Sequence, residues 1–319
     1  MLPYLARRIA NYAILLFIAT SMAYLMASAT LDPATLWDRG DPRLNWDAVN
    51  ASLAEYNISH DLPVWGRYVT WLKGVVLHWD WGMTPKGASI NGMMGAKILV
   101  SVRLVFLGAF IGMIGGVALG AWTATRQYSV ADRIATLLSM LVISTPVMVL
   151  AILLQVVAVQ INRATGYQLF EFTGMGDGVV GQLQHLLLPT LSMSLGGIAT
   201  YSRYQRNLML DTLGADYVRT ARAKGLVKRK AVTRHALRTA LIPMATYFAF
   251  ALATLFTGAA ITERVYGWHG MGEYSISAIS GMDINGVTAV VAFSGLCTLT
   301  GALLSDVFVA IVDPRVRVS

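Results

Sequence analysis

The sequence predicts an all-α integral membrane protein with six transmembrane helices and a small external domain between the first helix and the second. Three observations support this fold class. Of the 319 residues, 55% are hydrophobic and 13% are charged, whereas soluble domains carry about 25% charged residues. Several apolar runs approach the roughly 20 residues that a helix needs to cross a bilayer. The bases, which leave a net charge of +8, concentrate in short segments between those runs, as in cytoplasmic loops.

The first apolar run covers residues 9–31 and follows a pair of arginines. Ala27-Ser28-Ala29 is similar to a signal-peptide cleavage site, but the run is longer than the roughly 7 to 15 apolar residues of a signal peptide. We therefore interpret residues 1–31 as the N-terminus and a retained first span. Residues 32–103 contain most of the tryptophans and no cationic excess, which predicts the external domain. The tryptophans favour a small core or an interfacial belt over a ligand cage.

Residues 104–312 are predicted to form a membrane core of five further spans, followed by a short C-terminus at 313–319. Six spans place both termini on the cytoplasmic side, and most of the bases then lie on that side. The five spans are predicted at 104–124, 134–160, 185–201, 244–262 and 287–312.

Glycine recurs every four residues along the second span. Residues at this spacing share one face of a helix, and small residues on a face let another helix approach closely. We interpret the strip as a helix-packing surface, with a pore lining as the minor alternative. Its members are Gly108, Gly112, Gly116 and Gly120.

The third span is interrupted near its middle by Ser144-Thr145-Pro146. Proline inside a helix removes a hydrogen bond and should kink or locally unwind this span. Transporters often place such a break at the level of the substrate. The equal alternative is a structural kink whose backbone groups are satisfied by a neighbouring helix.

The longest basic segment of the chain, residues 203–243, lies between the fourth and fifth spans. Ten bases and two acids fall between its first residue and Arg238, so the segment is predicted to be cytoplasmic.

Within this basic segment, the sequence predicts a helix of two turns over residues 217–224. Asp216 can act as its N-cap, and Gly225 stands where a C′ glycine ends a helix. Ala221 and Gly225 leave a bare patch ringed by charged side chains. Such a short helix suits docking into a groove of a partner protein that approaches from the aqueous side.

A glycine-rich segment follows the fifth span, with Gly267, Gly270 and Gly272 close together. The apolar stretch after it, residues 274–281, is too short to cross the bilayer and is predicted to be a re-entrant or interfacial hairpin. Asp306 lies near the inner end of the sixth span, where an acid either pairs with a neighbour or reaches the interface.

The sequence contains no phosphate-binding loop, no H-E-x-x-H zinc helix and no G-x-S-x-G nucleophile elbow. Its single cysteine, Cys297, allows no disulfide within the chain. Ionisable residues within the spans, expected of an ion-coupled carrier, are scarce, and no aromatic-interleaved basic groove suggests nucleic acid. We therefore expect no enzyme activity, no metal, no cofactor on this chain and no nucleic-acid partner. A pore without its own energy source implies that another chain supplies the energy for transport.

At Asp216-Tyr217-Val218-Arg219-Thr220-Ala221-Arg222-Ala223-Lys224-Gly225-Leu226 the chain resembles the coupling motif of permease subunits in binding-protein-dependent ABC importers. The likeness is to the peptide and nickel branch, and within it to the B-type subunit of dipeptide and oligopeptide permeases. Arg219 and Thr220 stand where the general motif has Glu-Ala.

The resemblance extends over most of the chain. Asp61-Leu62-Pro63 and Trp79-Asp80-Trp81-Gly82 are similar to the family's external pattern, and Asp313-Pro314-Arg315 to its ending. Met282 and Asn285 replace the usual Arg and Pro beside the acid at Asp283, so the outer mouth is expected to differ in shape.

The resemblance implies the type I ABC importer permease fold and half of a translocation pathway for di- or oligopeptides. Nickel chelates, glutathione and other small solutes are alternative cargoes, and an autonomous ion-coupled carrier is the less favoured function. The implied partners are a second homologous permease, two ATPase subunits that hold ATP and Mg, an external substrate-binding protein and membrane lipid. The implied location is the plasma (inner) membrane of a bacterium or archaeon.

Two groups of residues carry the implied contacts. Contact with the ATPase is expected at Asp216, Tyr217, Arg219, Thr220, Ala221, Arg222, Lys224, Gly225 and Leu226. The outer mouth or re-entrant segment is expected at Glu263, Tyr266, Gly267, Gly270, Gly272 and Asp283.

Overall fold

A computed structural model describes residues 2–312, with side chains described outside 2–5, 245, 248–258 and 306–312. Asp306 and the ending Asp313-Pro314-Arg315 therefore lie outside the described side chains. Across the described part of the chain the regular elements are helical. The α-helices are α1 (Leu2–Thr30), α2 (Trp46–Glu55), α3 (Val64–His78), α4 (Ile90–Thr125), α5 (Val130–Ser144), α6 (Val147–Thr165), α7 (Gly178–Leu213), α8 (Asp216–Ala223), α9 (Lys228–Ala231), α10 (Leu237–Tyr266), α11 (Met271–Ser280) and α12 (Ile284–Val312). A 3₁₀ helix covers Pro33–Leu36, and a π-helical segment covers Val232–Ala236.

Four described helical segments are long and apolar enough to cross a membrane: Ala6–Thr30, Ile90–Thr125, Val147–Thr165 and Ile284–Ser305. They contain much of the first, second, third and sixth predicted spans. The fourth and fifth predicted spans lie within α7 and α10. The protein is thus a helical chain with several membrane-length apolar helices, and the count of six spans stays a prediction.

The predicted break in the third span is confirmed. α5 ends at Ser144, and Thr145 then adopts an extended conformation (φ −88°, ψ 124°), with its N–H bonded to the Val142 carbonyl. Pro146 precedes the first residue of α6. Proline disfavours helical geometry in the residue before it, so the span becomes two helices.

Two helices begin before the predicted spans that they contain, and the span boundaries stay predictions. The helix that contains the second predicted span begins at Ile90, before Leu104, and the helix of the sixth predicted span begins at Ile284, before Val287. Hydropathy marks where the chain is apolar enough for lipid, whereas a helix continues through polar residues that have helical propensity.

The chain divides into two compact units. The first contains Met1–Ser101 and His269–Leu299, and the second contains Val102–Trp268 and Thr300–Ser319.

An aromatic cluster forms the core of the first unit. The ring of Tyr24 on α1 stacks on Trp71 of α3 with a centroid distance of 4.6 Å, and Trp71 meets Trp81 edge-on at 6.1 Å. Trp71 and Trp81 are buried, whereas Trp65 and Trp79 are each 69% exposed. Some of the tryptophans of residues 32–103 therefore build a small core, and others face outward.

Candidate functional site

Helix α8 is closed at its C-terminus by a Schellman motif. The Leu226 N–H donates to the Ala221 carbonyl at 3.2 Å, and the Gly225 N–H donates to the Arg222 carbonyl at 3.0 Å. Gly225 has φ +92°, a region that favours glycine, so the predicted C′ glycine is confirmed. A Cβ added there would meet nothing within 4 Å, which leaves this turn open to a partner.

The predicted N-cap of α8 is wrong by one residue. The cap position belongs to Ala215, and Asp216 is the first helical residue. The Asp216 carboxylate caps no backbone N–H and lies 3.9 Å from the Arg219 guanidinium, with both side chains largely exposed. An acid in the first turn still interacts favourably with the helix dipole.

A single buried side chain anchors α8 to the rest of its unit. Val218 is 3% exposed and belongs to an apolar cluster with Ala124 of α4, Met209 of α7 and Ala240 of α10. Leu226 packs against the same cluster. Because Val218 contacts a core built from three long helices, a force on α8 would reach all of them through packed side chains.

The opposite face of α8 is exposed and carries both charges and an aromatic ring. Tyr217 is 44% exposed. The other exposed residues of the predicted contact set are Asp216, Arg219, Thr220, Arg222, Lys224 and Gly225, while Ala221 is half-buried. Val218, which is not in the predicted set, thus anchors α8, while most of the predicted set is accessible.

A carboxylate and guanidinium pair, which the sequence did not predict, joins α5 to α7. Arg206 Nε donates to Asp132 Oδ1 at 2.7 Å, and Nη2 donates to Oδ2 at 2.8 Å. The Tyr128 N–H also donates to Oδ2 at 3.0 Å. The Arg206 side chain therefore holds the pKa of the buried Asp132 carboxyl below its usual value. The available signal was that Asp132 is the acid of a short loop that otherwise carries bases.

The glycine strip of the second span lies against α7. A Cβ at Gly108 would stand 2.7 Å from Met193 Cβ, at Gly112 3.2 Å from Gly197 Cα, and at Gly116 2.5 Å from Tyr201 Cβ. At Gly120 it would meet the Ser202 carbonyl oxygen. Side chains at these positions would force the two helices apart, so glycine permits the observed close approach.

The end of α10 carries the first part of the predicted outer segment. Gly267 ends the helix at φ +65°, and the Tyr266 carbonyl accepts from the Gly174 N–H at 2.9 Å. The Tyr266 hydroxyl donates to the Ala151 carbonyl of α6 at 3.2 Å. Glu263 is fully buried. These contacts tie the end of α10 to α6 and to the loop before α7.

The second part of the predicted outer segment lies in the first unit. Gly270 precedes α11, and Gly272 is buried within it. With ten residues, α11 is about 15 Å long and too short to cross a bilayer.

Asp283 joins α11 to the start of α12. Its carboxylate accepts from the Tyr274 hydroxyl at 2.9 Å and from the Gly286 N–H at 2.8 Å. Burial raises the pKa of Asp283 to about 6, although both hydrogen bonds oppose that shift.

Asn285, one of the departures from the family pattern, has a specific contact. Its Nδ2 donates to the Met83 carbonyl at 2.9 Å. Gly82 has φ +89°, and a Cβ there would stand 2.6 Å from Asn285 Nδ2. The Trp79-Asp80-Trp81-Gly82 segment therefore packs against the start of α12, a contact that a proline at position 285 could not donate.

Comparisons with known proteins cover the whole chain. Residues 116–318 match the family described as "Binding-protein-dependent transport system inner membrane component". The chain is 45% identical to the oligopeptide transport system permease protein OppB of Mycobacterium tuberculosis, with 100% of both proteins covered. It is 28% identical to the dipeptide transport system permease protein DppB of Lactococcus lactis and 27% identical to the oligopeptide transport system permease protein AppB of Bacillus subtilis. Those two alignments each cover 99% of this chain and 100% of the relative.

Proposed function

This chain belongs to the family of binding-protein-dependent transport system inner membrane components, as its coupling motif indicated, and on that premise we propose that it is the permease subunit of an ATP-driven importer of di- or oligopeptides. The observation that carries the proposal is the 45% identity over the full length of both chains to a permease named for oligopeptide transport. The protein is a multi-pass membrane transport component rather than an enzyme.

In this proposal the chain has the type I importer permease fold, with six spans, an external domain at 32–103 and both termini in the cytoplasm of a bacterial or archaeal cell. It forms half of the translocation pathway, and a second homologous permease forms the other half. An external substrate-binding protein delivers the peptide, and the segment with Glu263, Tyr266, Gly267, Gly270, Gly272 and Asp283 borders the outer mouth.

Helix α8 is the proposed contact with the ATPase subunits, which hold ATP and Mg themselves. Its exposed charges and Tyr217 suit a polar groove on a cytoplasmic partner, and the Schellman turn at Gly225 adds a surface without a side chain. The buried Val218 connects this contact to α4, α7 and α10. Closure of the ATPases would therefore displace α8 and, through that core, the helices that border the pathway.

Reconstitution of the intact complex tests the proposed function. We expect the chain to co-purify with ATPase subunits from its native membrane, and the complex with its binding protein to accumulate labelled tri-alanine in liposomes when ATP is supplied. Nickel chelates and glutathione serve as competing cargoes in the same assay. Uptake driven by an ion gradient with this chain alone would refute the proposal in favour of an autonomous carrier.

A further inference from the structure

A cavity of about 340 Å³ lies at the break between α5 and α6, within the second unit. Small-molecule sites commonly have volumes of about 300–1,000 Å³. Its walls come from the ends of α5 and α6 that flank the break, from the middle of α7 and from α10. The polar and aromatic lining consists of Thr145, Ser192, Thr200, Tyr201, Tyr247 and Thr262.

The described residues that line this cavity carry no charge. An acidic or basic ligand group would therefore meet neither an attractive ion pair nor a repulsive like charge. This distinguishes the cavity from sites that select one sign of charge, where an opposite charge a few ångströms away dominates recognition.

Two hydroxyls of the polar lining can offer a ligand only hydrogen-bond acceptors. The Thr145 hydroxyl donates its hydrogen to the Leu141 carbonyl at 2.8 Å, and the Ser192 hydroxyl donates to the Pro189 carbonyl at 2.9 Å. Because each hydroxyl has one hydrogen to donate, both oxygens have only lone pairs left to offer a ligand.

Two tyrosine rings lie beside these acceptors. Tyr201 and Tyr247 lie edge to face with centroids 5.9 Å apart. The faces of aromatic rings carry partial negative charge and attract N–H groups and cations. These lone pairs and ring faces can receive hydrogen-bond donors of a ligand, and the hydroxyls of Thr200, Tyr247 and Thr262 can donate as well as accept.

We propose that this cavity is the part of the substrate site that the chain itself contributes, and that it accepts the main-chain N–H groups of a peptide whatever the charge of the peptide's side chains. The inference rests on the proposed function, because it takes a peptide as the cargo. Main-chain N–H groups are common to peptides of different sequence, so a site that reads them admits varied peptides. The helix break at Thr145 and Pro146 is then a substrate-level feature.

Filling the cavity provides the first test. Gly196 lines it, and a Cβ at this position would meet nothing within 4 Å. Gly196→Leu should therefore leave the helix intact while it occupies the space of the ligand. Gly95→Leu is the matched control, because Gly95 is also helical with nothing within 4 Å but lies outside the cavity. In the reconstituted complex we expect Gly196→Leu to lower ATP-driven uptake of tri-alanine at least about tenfold, equal to about 1.4 kcal/mol, and Gly95→Leu to leave uptake near the wild-type rate.

Placing a charge in the cavity provides a second test. If the cavity had only a structural role, the charge would not change the preference between peptides of opposite charge. Thr200→Asp should favour Ala-Lys-Ala over Ala-Glu-Ala, whereas Thr200→Asn, which is similar in size and neutral, should keep the wild-type ratio. We expect the ratio of the two uptake rates to rise at least about fivefold from the Asn to the Asp variant, which is about 1 kcal/mol of differential interaction.

The outcomes separate this inference from the proposed function. If the wild-type complex takes up tri-alanine, two results would overturn the cavity as a substrate site and leave the importer function intact. One is normal uptake by Gly196→Leu, and the other is an unchanged ratio of Ala-Lys-Ala to Ala-Glu-Ala uptake in Thr200→Asp. If the wild-type complex accumulates no peptide with ATP, the proposed function fails and this inference fails with it.

Discussion

Replacing Gly225 by arginine should uncouple transport from ATP hydrolysis while leaving the protein folded. Gly225 follows α8 at φ +92° and has open space around the position of a Cβ. The Cβ of an arginine would therefore clash with none of the described residues. Arginine would instead place a long cation on the accessible side of the turn, where the proposed ATPase contact needs a close approach.

The magnitude follows from two opposing quantities. A residue other than glycine costs roughly 1–2 kcal/mol in the left-handed region. Full burial of a valine contributes about 1.5–3 kcal/mol, and Val218, at 3% exposed, holds α8 on its core. The free-energy cost of backbone strain is thus comparable to the stabilisation from burying Val218, or smaller, so α8 should remain packed on its apolar core. Gly225→Ala carries the same strain without the long side chain, and the difference between the two variants isolates the docking surface.

The assay is ATP-driven uptake of tri-alanine by the reconstituted complex, with ATPase activity measured in parallel. We expect Gly225→Ala to keep uptake within about threefold of wild type, and Gly225→Arg to lose at least about tenfold, or about 1.4 kcal/mol. Gly166→Arg is a matched control, because Gly166 also ends a helix at positive φ (+72°) with nothing within 4 Å. Equal uptake by the Arg and Ala variants at position 225 would refute the docking surface, and an equal loss in Gly166→Arg would assign the effect to backbone strain.

Two further predictions concern buried carboxylates. Asp132→Asn should destabilise the complex by about 3 kcal/mol, because it leaves the Arg206 guanidinium without its carboxylate; thermal inactivation would measure this, and an unchanged inactivation temperature would show that the pair contributes nothing. For Asp283, the folded-state pKa of about 6 lies above the ordinary value of 3.8, so protonation favours the folded state and stability is lost as pH rises from about 4 through 6. Between pH 5 and 7 the loss is about 1 kcal/mol. Asp283→Asn should remove this dependence, and an equally steep pH profile in that variant would contradict it. Lys97, whose ammonium lies 5.3 Å from the centre of the Tyr274 ring, is present in both the wild type and the Asp283→Asn variant, so the comparison isolates Asp283.

Local features were predictable from the sequence because their causes lie within a few neighbouring residues. Pro146 lacks an N–H and restricts the residue before it, so the break between α5 and α6 follows from the chain itself. Gly225 adopts a backbone conformation that other residues avoid, so it marks the end of α8. The N-cap of α8 was harder to predict, because Ala215 and Asp216 are adjacent and the path of the chain from α7 decides which of them begins the helix.

Contacts between distant residues were not predictable in the same way. Asp132 and Arg206 are 74 positions apart, and Asn285 and Met83 are 202 apart. Periodicity reports which face of a helix is apolar, but it does not report which helix that face meets or at what height. The charge at Arg206 was visible as one base among many, and its partner emerged only from the packing of α5 on α7.

The sequence alone therefore determined the membrane class of this protein, the helix break at Ser144-Thr145-Pro146 and the short basic helix that resembles a coupling element. Composition, proline and glycine act locally, and their effects survive without knowledge of the neighbours. Only the tertiary structure decided that Val218 anchors α8 while Tyr217 faces outward, that the glycine strip meets α7, and that the break between α5 and α6 borders a cavity whose described lining residues carry no charge. Those features depend on which surfaces pack together, and packing is a property of the folded chain as a whole.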